Sequence, residues 1–322
     1  MRILKKVIKI LKCIFIVIFV LAILWMLLHQ ILTRVESSRL EQAGQYVMVN
    51  GKNMNVFKVG SGEKTIVLMP GLGTTSPVLD FEPLINELMT DFRVIVVEPF
   101  GYGWSDNTNK ERSVANIVEE LRLALEESGE TGPFILMPHS VSGIYATWYA
   151  NKYPEEIEAI VGIDCALPKQ TEYFDGENPH VTNFAKVANV FGIQRLLYMI
   201  SPNSFISGNK SNEYTDDNLS QQKLISYKVG FNATVINETN AVENNISDTL
   251  NMSFESSLPL LFFTREIASD DKEKTKQDFY NSYITNKEIQ KVIVFDSGHY
   301  MHWTKAHDIA KETKQFLINN EK

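Results

Sequence analysis

Six short, nearly unbroken apolar runs, rich in β-branched residues, set the strongest limit on how this chain can fold: TIVLM (65–69), RVIVVE (93–98), PFILM (133–137), EAIVGI (158–163), PLLFF (259–263) and KVIVF (291–295). A strand that is apolar on both faces must be covered on both faces, the condition met by a parallel sheet between helical layers. Helix-like stretches separate most of these runs. The clearest is VANIVEELRLALEESG (114–129), with an apolar stripe and a terminal Gly. Strands alternating with helices imply right-handed crossovers and a doubly wound, mostly parallel α/β sheet. Ahead of them, YVMVN-GK-NMNVFKVG alternates apolar and polar positions around Asn50-Gly51. That pattern predicts an antiparallel hairpin at the start of the domain.

One connection breaks the rhythm. About 95 residues separate Ile163 from Pro259, too many for a structureless loop in a compact domain. FAKVANVFGIQRLLYMI (184–200) and LSQQKLISYKVGFNATVINE (219–238) read as helices inside it. The insertion is expected to form a helical cap over the carboxyl edge of the sheet, where open α/β folds bind ligands. The domain then divides into a core over 46–165, a cap over 166–257 and a second core segment over 258–322.

The first 45 residues differ in kind. Arg2, Lys5, Lys6, Lys9 and Lys12 form a basic tail (1–12), and CIFIVIFVLAILWMLL (13–28) follows without a charge. Extended to Leu32, the segment 13–32 is long enough to cross a bilayer as a helix, with Trp25 toward one end as an interfacial aromatic. Residues 33–45 are polar and read as a stalk. A cleaved signal peptide is the rival reading, but HQILTRVESS (29–38) offers no clear small-x-small cleavage site. The charge bias predicts a single-pass cell-membrane protein with a cytoplasmic N-terminus and an extracytoplasmic domain. Beyond residue 12 the chain carries 26 basic and 39 acidic side chains. That surface repels nucleic acid and anionic headgroups, so bilayer contact is expected from the N-terminus alone. Only Cys13, in the apolar run, and Cys165, in the domain, are present, and a pair across a membrane boundary is not expected, so no disulfide framework is expected. With six scattered His and no Cys-x-x-Cys, a structural zinc site is also not expected.

PFILM runs straight into Pro138-His139-Ser140-Val141-Ser142-Gly143, and IYATWYANKYP then reads as a helix. A strand, a tight turn centred on Ser and a helix together make a nucleophile elbow. HSVSGIYA resembles the His-Ser-x-Gly-Gly segment of α/β-hydrolases, with Ser142 in place of the first Gly and Pro138 in place of the Gly two before the Ser. His139 reads as a packing residue beside the nucleophile. TIVLM ends in Pro70-Gly71-Leu72-Gly73, which is similar to the family's His-Gly-x-Gly loop; the resemblance implies oxyanion-hole N–H groups on Leu72 and Val141. VVEPFGYGWSD (96–106) resembles the family's Asp-x-x-Gly-x-Gly-x-Ser loop and is taken as structural. VIVFDSGHYMHW (292–303) resembles the last strand and Gly-His loop, which implies His299 as the general base, while His302 and His307 have no such context.

The acid is the least defined member. In the family it often follows the strand after the cap, where this chain reads FFTREIASDD (262–271) and Ala268 falls in register; Glu266, Asp270 and Asp271 lie nearby. Some branches carry it after the strand before the cap. There Asp164 stands between apolar residues in IVGIDCALP, so Asp164 is the expected acid and Glu266 the alternative.

The resemblance implies hydrolysis of small or lipid-derived carboxylic esters through an acyl-enzyme, with no metal or organic cofactor. A Ser rather than an Asp nucleophile argues against the dehalogenase and epoxide-hydrolase branches. Two rival classes stay open. One is a prolyl-aminopeptidase-like peptidase, whose cap acids would hold a substrate amine, with Glu172, Asp175 and Glu177 as candidates. The other is a non-catalytic binding protein on the same fold. Protein partners are not indicated. The orientation is testable by C-terminal fusions: phosphatase activity without green fluorescence is expected, and the opposite pair would reverse it.

Overall fold

A computed structural model describes residues 2–174, 179–182, 184–201, 213–266 and 275–320. Helix α1 (Arg2–Ser37) leads into the hairpin β1 (Gln45–Val49) and β2 (Lys52–Val59). Asn50 and Gly51 both take positive φ, 51° and 75°, as the tight two-residue turn requires. The core then runs β3 (Thr65–Met69), α2 (Pro77–Asp80), α3 (Glu82–Leu88), β4 (Arg93–Glu98), α4 (Val114–Glu127), β5 (Phe134–Pro138), α5 (Ser142–Lys152) and β6 (Ile157–Ile163). The insertion contributes α6 (Gln170–Tyr173), α7 (Phe184–Val190), α8 (Ile193–Ile200), α9 (Asp216–Val229) and α10 (Ala233–Thr249). The chain closes with β7 (Leu260–Arg265), α11 (Lys276–Asn281), β8 (Gln290–Phe295) and α12 (Ala306–Asn319).

The eight strands form one sheet in the order β1-β2-β4-β3-β5-β6-β7-β8. The hairpin strands pair antiparallel, and from β4 onward every pairing is parallel. Each apolar run is split between two cores by the two-residue side-chain period. On β5, Phe134 and Leu136 face the core under α4 and α5, while Ile135 and Met137 face the core under α3 and α12.

Two differences from the sequence reading have local causes. The stretch 184–200 is two helices, broken where Gly192 turns left-handed at φ 61°. The stretch 219–238 is likewise parts of two helices. The break falls at Gly230 (φ 42°), and the Asn232 side chain then caps α10 by accepting from the N–H groups of Thr234 and Val235. In addition, α1 is one continuous helix that takes in the basic tail and the first stalk residues.

The α1 helix is not free of the domain. Ala22, Trp25, Met26, His29, Leu32, Thr33 and Glu36, spaced at helical intervals, are covered or half-covered. The Trp25 indole N–H donates to the Phe191 carbonyl at 2.9 Å. Arg195, buried, donates to His29 Nδ1 at 3.1 Å and pairs with Glu36.

Glu98, fully buried at the end of β4, ties the loops on the carboxyl edge together. Its carboxylate accepts from the Ser76 hydroxyl at 2.8 Å, the Val78 N–H at 3.4 Å, the Asn55 amide at 3.1 Å and the Trp104 N–H at 2.8 Å. Gly103 passes so close that a Cβ there would lie 1.9 Å from Glu98 Oε2. Burial pushes the carboxyl up to about 7, against the four hydrogen bonds that favour the charged form. A folded-state pKa above the ordinary value of 4.5 means stability that is fully present below that value and lost as pH rises toward about 7. Thermal melts across that window should therefore show the native chain falling by a few kcal/mol relative to Glu98→Gln, whose side chain does not titrate. Parallel curves would disprove this role.

Candidate active site

The carboxyl ends of β5 and β6 each turn through a left-handed residue. Ser140 has φ 54° and Asp164 has φ 40°, a conformation few non-Gly residues adopt. Backbone bonds lock the two turns together: the Ser140 N–H donates to Ile163 O at 3.4 Å, and the Ala166 N–H donates to Ser140 O at 2.7 Å. Pro138 ends β5 opposite Met69 without disturbing this turn. Gly143 opens the helix because nothing larger fits. A Cβ there would lie 2.1 Å from the Ala166 carbonyl oxygen and 2.9 Å from Cys165 Cβ. The Ser142 hydroxyl donates to the Pro70 carbonyl, joining the elbow to the loop after β3.

The sequence-predicted Ser140, His299 and Asp164 come together in one hydrogen-bonded series. His299 Nε2 is 3.0 Å from Ser140 Oγ, and His299 Nδ1 is 2.6 Å from Asp164 Oδ2. With the Ser hydroxyl donating to Nε2, the ring proton sits on Nδ1 and is donated to the carboxylate. The Asp164 carboxylate is completely buried and accepts two further charged donors, Arg265 Nε at 3.0 Å and Lys276 Nζ at 2.5 Å. Burial alone would raise its pKa; the hydrogen bond from His299 and the nearby charge of Lys276 outweigh that and hold it below the ordinary carboxylate range. Glu266 is exposed just beyond β7, and no hydrogen bond joins it to His299. Ala268, Asp270, Asp271, Asp175 and Glu177 lie outside the described residues.

The loop that carries Leu72 lies directly against the elbow. A Cβ on Gly71 would be 2.8 Å from His139 Nδ1 and 3.3 Å from Ser140 Cβ. Leu72 is half-buried and Val141 buried, and neither N–H donates to a backbone acceptor among the described residues. The loop and α5 are tied to Glu238 of the cap through two tyrosines that lie inside the resembling motifs, which assign them no role. The Gly73 N–H donates to Tyr102 Oη at 3.1 Å, and the Tyr102 hydroxyl donates to Glu238 Oε2 at 3.0 Å. The Tyr145 hydroxyl, on α5, donates to the other oxygen of Glu238 at 2.9 Å. Burial raises the Glu238 carboxyl pKa against the opposing pull of Arg112 and both tyrosines. These groups, with Met69, Pro70 and Ser142, wall a cavity of about 30 Å³, room for roughly two waters.

Around His299, His139 and His302 act as packing. His139 is fully buried, and burial first, then the neighbouring His302 and His299, pushes its pKa well below the usual range, so the ring is neutral. Its Nε2–H donates to the His299 carbonyl at 3.2 Å and so steadies the loop that carries His299. His302, also buried, donates to Asp80 at 2.8 Å, which the Trp303 indole shares at 2.9 Å. His307 is exposed beside Glu87. The signals for these supporting residues are long-range, since Glu238 is 136 residues from Tyr102 and Asp80 is 222 from His302.

Comparison with known proteins follows the same lines. A family model described as alpha/beta hydrolase fold matches residues 64–195. The uncharacterized protein YbdG of Bacillus subtilis (strain 168) is 31% identical over 284 residues, 86% of each chain. The serine hydrolase BPHL of Mus musculus is 32% identical over 123 residues, 36% of this chain and 40% of that protein. Among solved structures, the epoxide hydrolase VrEH1 from Vigna radiata superposes with a TM-score of 0.65 at 17% identity, covering 85% of this chain and 97% of that one.

The close approach at Gly143 is directly testable. Gly143→Ala should lower stability by roughly 1–3 kcal/mol in urea denaturation because backbone must move. Gly298→Ala, with nothing within 4 Å of its Cβ, should stay within about 0.5 kcal/mol of the native chain. Equal stability of the two variants would contradict the packing described.

Proposed function

We propose that this chain, which belongs to the alpha/beta hydrolase fold family, is a serine hydrolase that cleaves carboxylic esters, small or lipid-derived, through an acyl-enzyme. The observation that carries the reading is the unbroken series from Ser140 Oγ through His299 to the buried Asp164, at 3.0 and 2.6 Å. In the first half-reaction Ser140 Oγ attacks the ester carbonyl carbon while His299 Nε2 takes the hydroxyl proton. The tetrahedral oxyanion accepts from the N–H groups of Leu72 and Val141. Collapse breaks the bond to the alcohol oxygen, which leaves with the proton from His299. Water then repeats the sequence on the acyl-enzyme and releases the acid and Ser140. Asp164 holds the imidazole in the required tautomer and offsets the charge it gains; the His299 hydrogen bond and the Lys276 charge favour its ionised form, and Arg265 donates to the same carboxylate.

An ester substrate is favoured over an aminopeptidase-like one by the state of the cap carboxylates. Both oxygens of Glu238 are already taken by tyrosine hydroxyls, and Glu172 is exposed. Glu120, which lines the same cavity, is paired with the buried Arg112 at 2.6 Å. The likeness to an epoxide hydrolase is one of fold, at 17% identity. The same reading makes the protein membrane-anchored. The α1 helix has a mean hydropathy of 3.0 over its most apolar 18 residues, and the basic residues at its N-terminal end favour a cytoplasmic N-terminus.

A fluorophosphonate probe should label the native protein and fail to label Ser140→Ala. Asp164→Asn should lower kcat on nitrophenyl esters by roughly 10³–10⁴-fold, with Glu266→Ala close to native. Labelling that survives Ser140→Ala, or a loss in Glu266→Ala with Asp164→Asn unharmed, would overturn the assignment. Faster turnover of aminoacyl-nitroanilides than of esters would replace the substrate class.

A further inference from the structure

The α7 and α8 helices of the cap are inside out. In a water-facing helix pair the apolar stripe turns inward and ions face solvent. Here Phe184 and Ile200 are each 74% exposed and Met199 67%, and Val187, Leu196 and Leu197 are exposed as well. Arg195, on α8, is by contrast turned inward and buried at 5%. A contiguous apolar surface of this kind marks a binding surface. The residues around it are also distinct in charge: the 35 residues between Glu177 and Glu213 contain no Asp or Glu, in a chain with 39 acids.

Where this surface lies is set by α1. The Phe191 carbonyl accepts from the Trp25 indole at 2.9 Å, and the Val190 carbonyl accepts from the Gln30 amide at 3.3 Å. Gly192 presses against His29 so closely that a Cβ would lie 2.4 Å from the ring. Arg195 bonds to His29, Thr33 and Glu36 and stacks on Tyr227 at 4.0 Å. The break between α7 and α8 is therefore pinned to α1 at Trp25 to Glu36. Trp25 is seven residues short of Leu32, the end of the apolar segment, or about 10 Å at the helical rise. Amphipathic helices lie about 5–10 Å into the headgroup and acyl boundary. The cap's apolar face thus continues the lipid-facing surface of α1 at the depth where such a face is buried.

We propose that the outward face of α7 and α8 is a second membrane-binding surface, lying in the leaflet on the domain's side beside α1. The protein is then held by a spanning helix and by its own cap, so the cap meets the bilayer as well as the substrate site. The inference rests on the reading of α1 as a membrane span, and its test separates the two.

The test uses the full chain in vesicles of phosphatidylcholine and phosphatidylglycerol, with Cys13→Ser and the buried Cys165 left in place. An environment-sensitive fluorophore is attached in turn at Phe184→Cys, Met199→Cys, the exposed core position Glu126→Cys and the α1 position Ile18→Cys. Positions 184 and 199 should show a blue shift, loss of fluorescence to lipids carrying a nitroxide near the headgroup end of the acyl chain, and protection from aqueous iodide. Position 126 should show none of these. If 184 and 199 behave like 126 while 18 is quenched by lipid, the anchor stands and the cap surface is refuted. If 18 also escapes lipid quenching, the anchor reading fails and this inference fails with it. Protection from iodide without lipid quenching, lost on dilution into excess lipid, would assign the face to a second copy of the chain and overturn the proposal.

Discussion

The Ser140 N–H bound to Ile163 O, and the Ala166 N–H bound to Ser140 O, fasten two left-handed turns to each other at the ends of neighbouring parallel strands. The rest of the site depends on this joint. A left-handed residue lifts its side chain off the strand axis, and doing so twice on adjacent strands aims a hydroxyl and a carboxylate at the same imidazole. Neither turn is comfortable for an L-residue. Each persists because the surrounding contacts leave no alternative: Gly143 allows α5 to sit against Ala166, and Ser142 pulls the Pro70 loop onto the elbow. The strain is held by these contacts rather than by the turn itself.

Two buried carboxylates then organise the loops around that joint. Glu98 gathers Ser76, Val78, Asn55 and Trp104 below the pocket. Glu238 reaches in from the cap and, through Tyr102 and Tyr145, connects α10 to the Gly73 loop and to α5. A carboxylate removed from water is costly unless its oxygens are satisfied, so each of these groups fixes the position of everything that satisfies it. The cap is in this way part of the site's frame. The cap also grips α1, through Arg195 on α8, so it contacts both the apolar helix and the loops around Ser140.

Much of this was legible residue by residue. The strands over 65–69 and 93–98 fall where their apolar runs do, and Asn50-Gly51 makes the expected turn, because these features rest on local periodicity and backbone preference. The proposed Ser and His were readable from strand-turn-helix context. The helix breaks at Gly192 and Gly230 were not, since an isolated Gly inside an apolar pattern does not by itself say whether a neighbour will press against it. The supporting roles of Arg265, Lys276, Glu238, Tyr102, Asp80 and His302 were not readable for one reason: each acts through a partner far away in the chain, and no spacing rule encodes such a pair.

By itself the sequence determined what local chemistry dictates: a doubly wound sheet, a serine on an elbow, an insertion before the seventh strand, and a helix apolar enough to cross a membrane. Only the tertiary structure decided which carboxylate meets His299, because Asp164 and Glu266 both follow strands and differ only in where those strands lie in the sheet. Only it turned the apolar stripe of α8 outward, because the burial of Arg195 against His29 and Glu36 is a contact between segments about 160 residues apart. Periodicity states how wide an apolar face is; which way it points is settled by what the opposite face must bury.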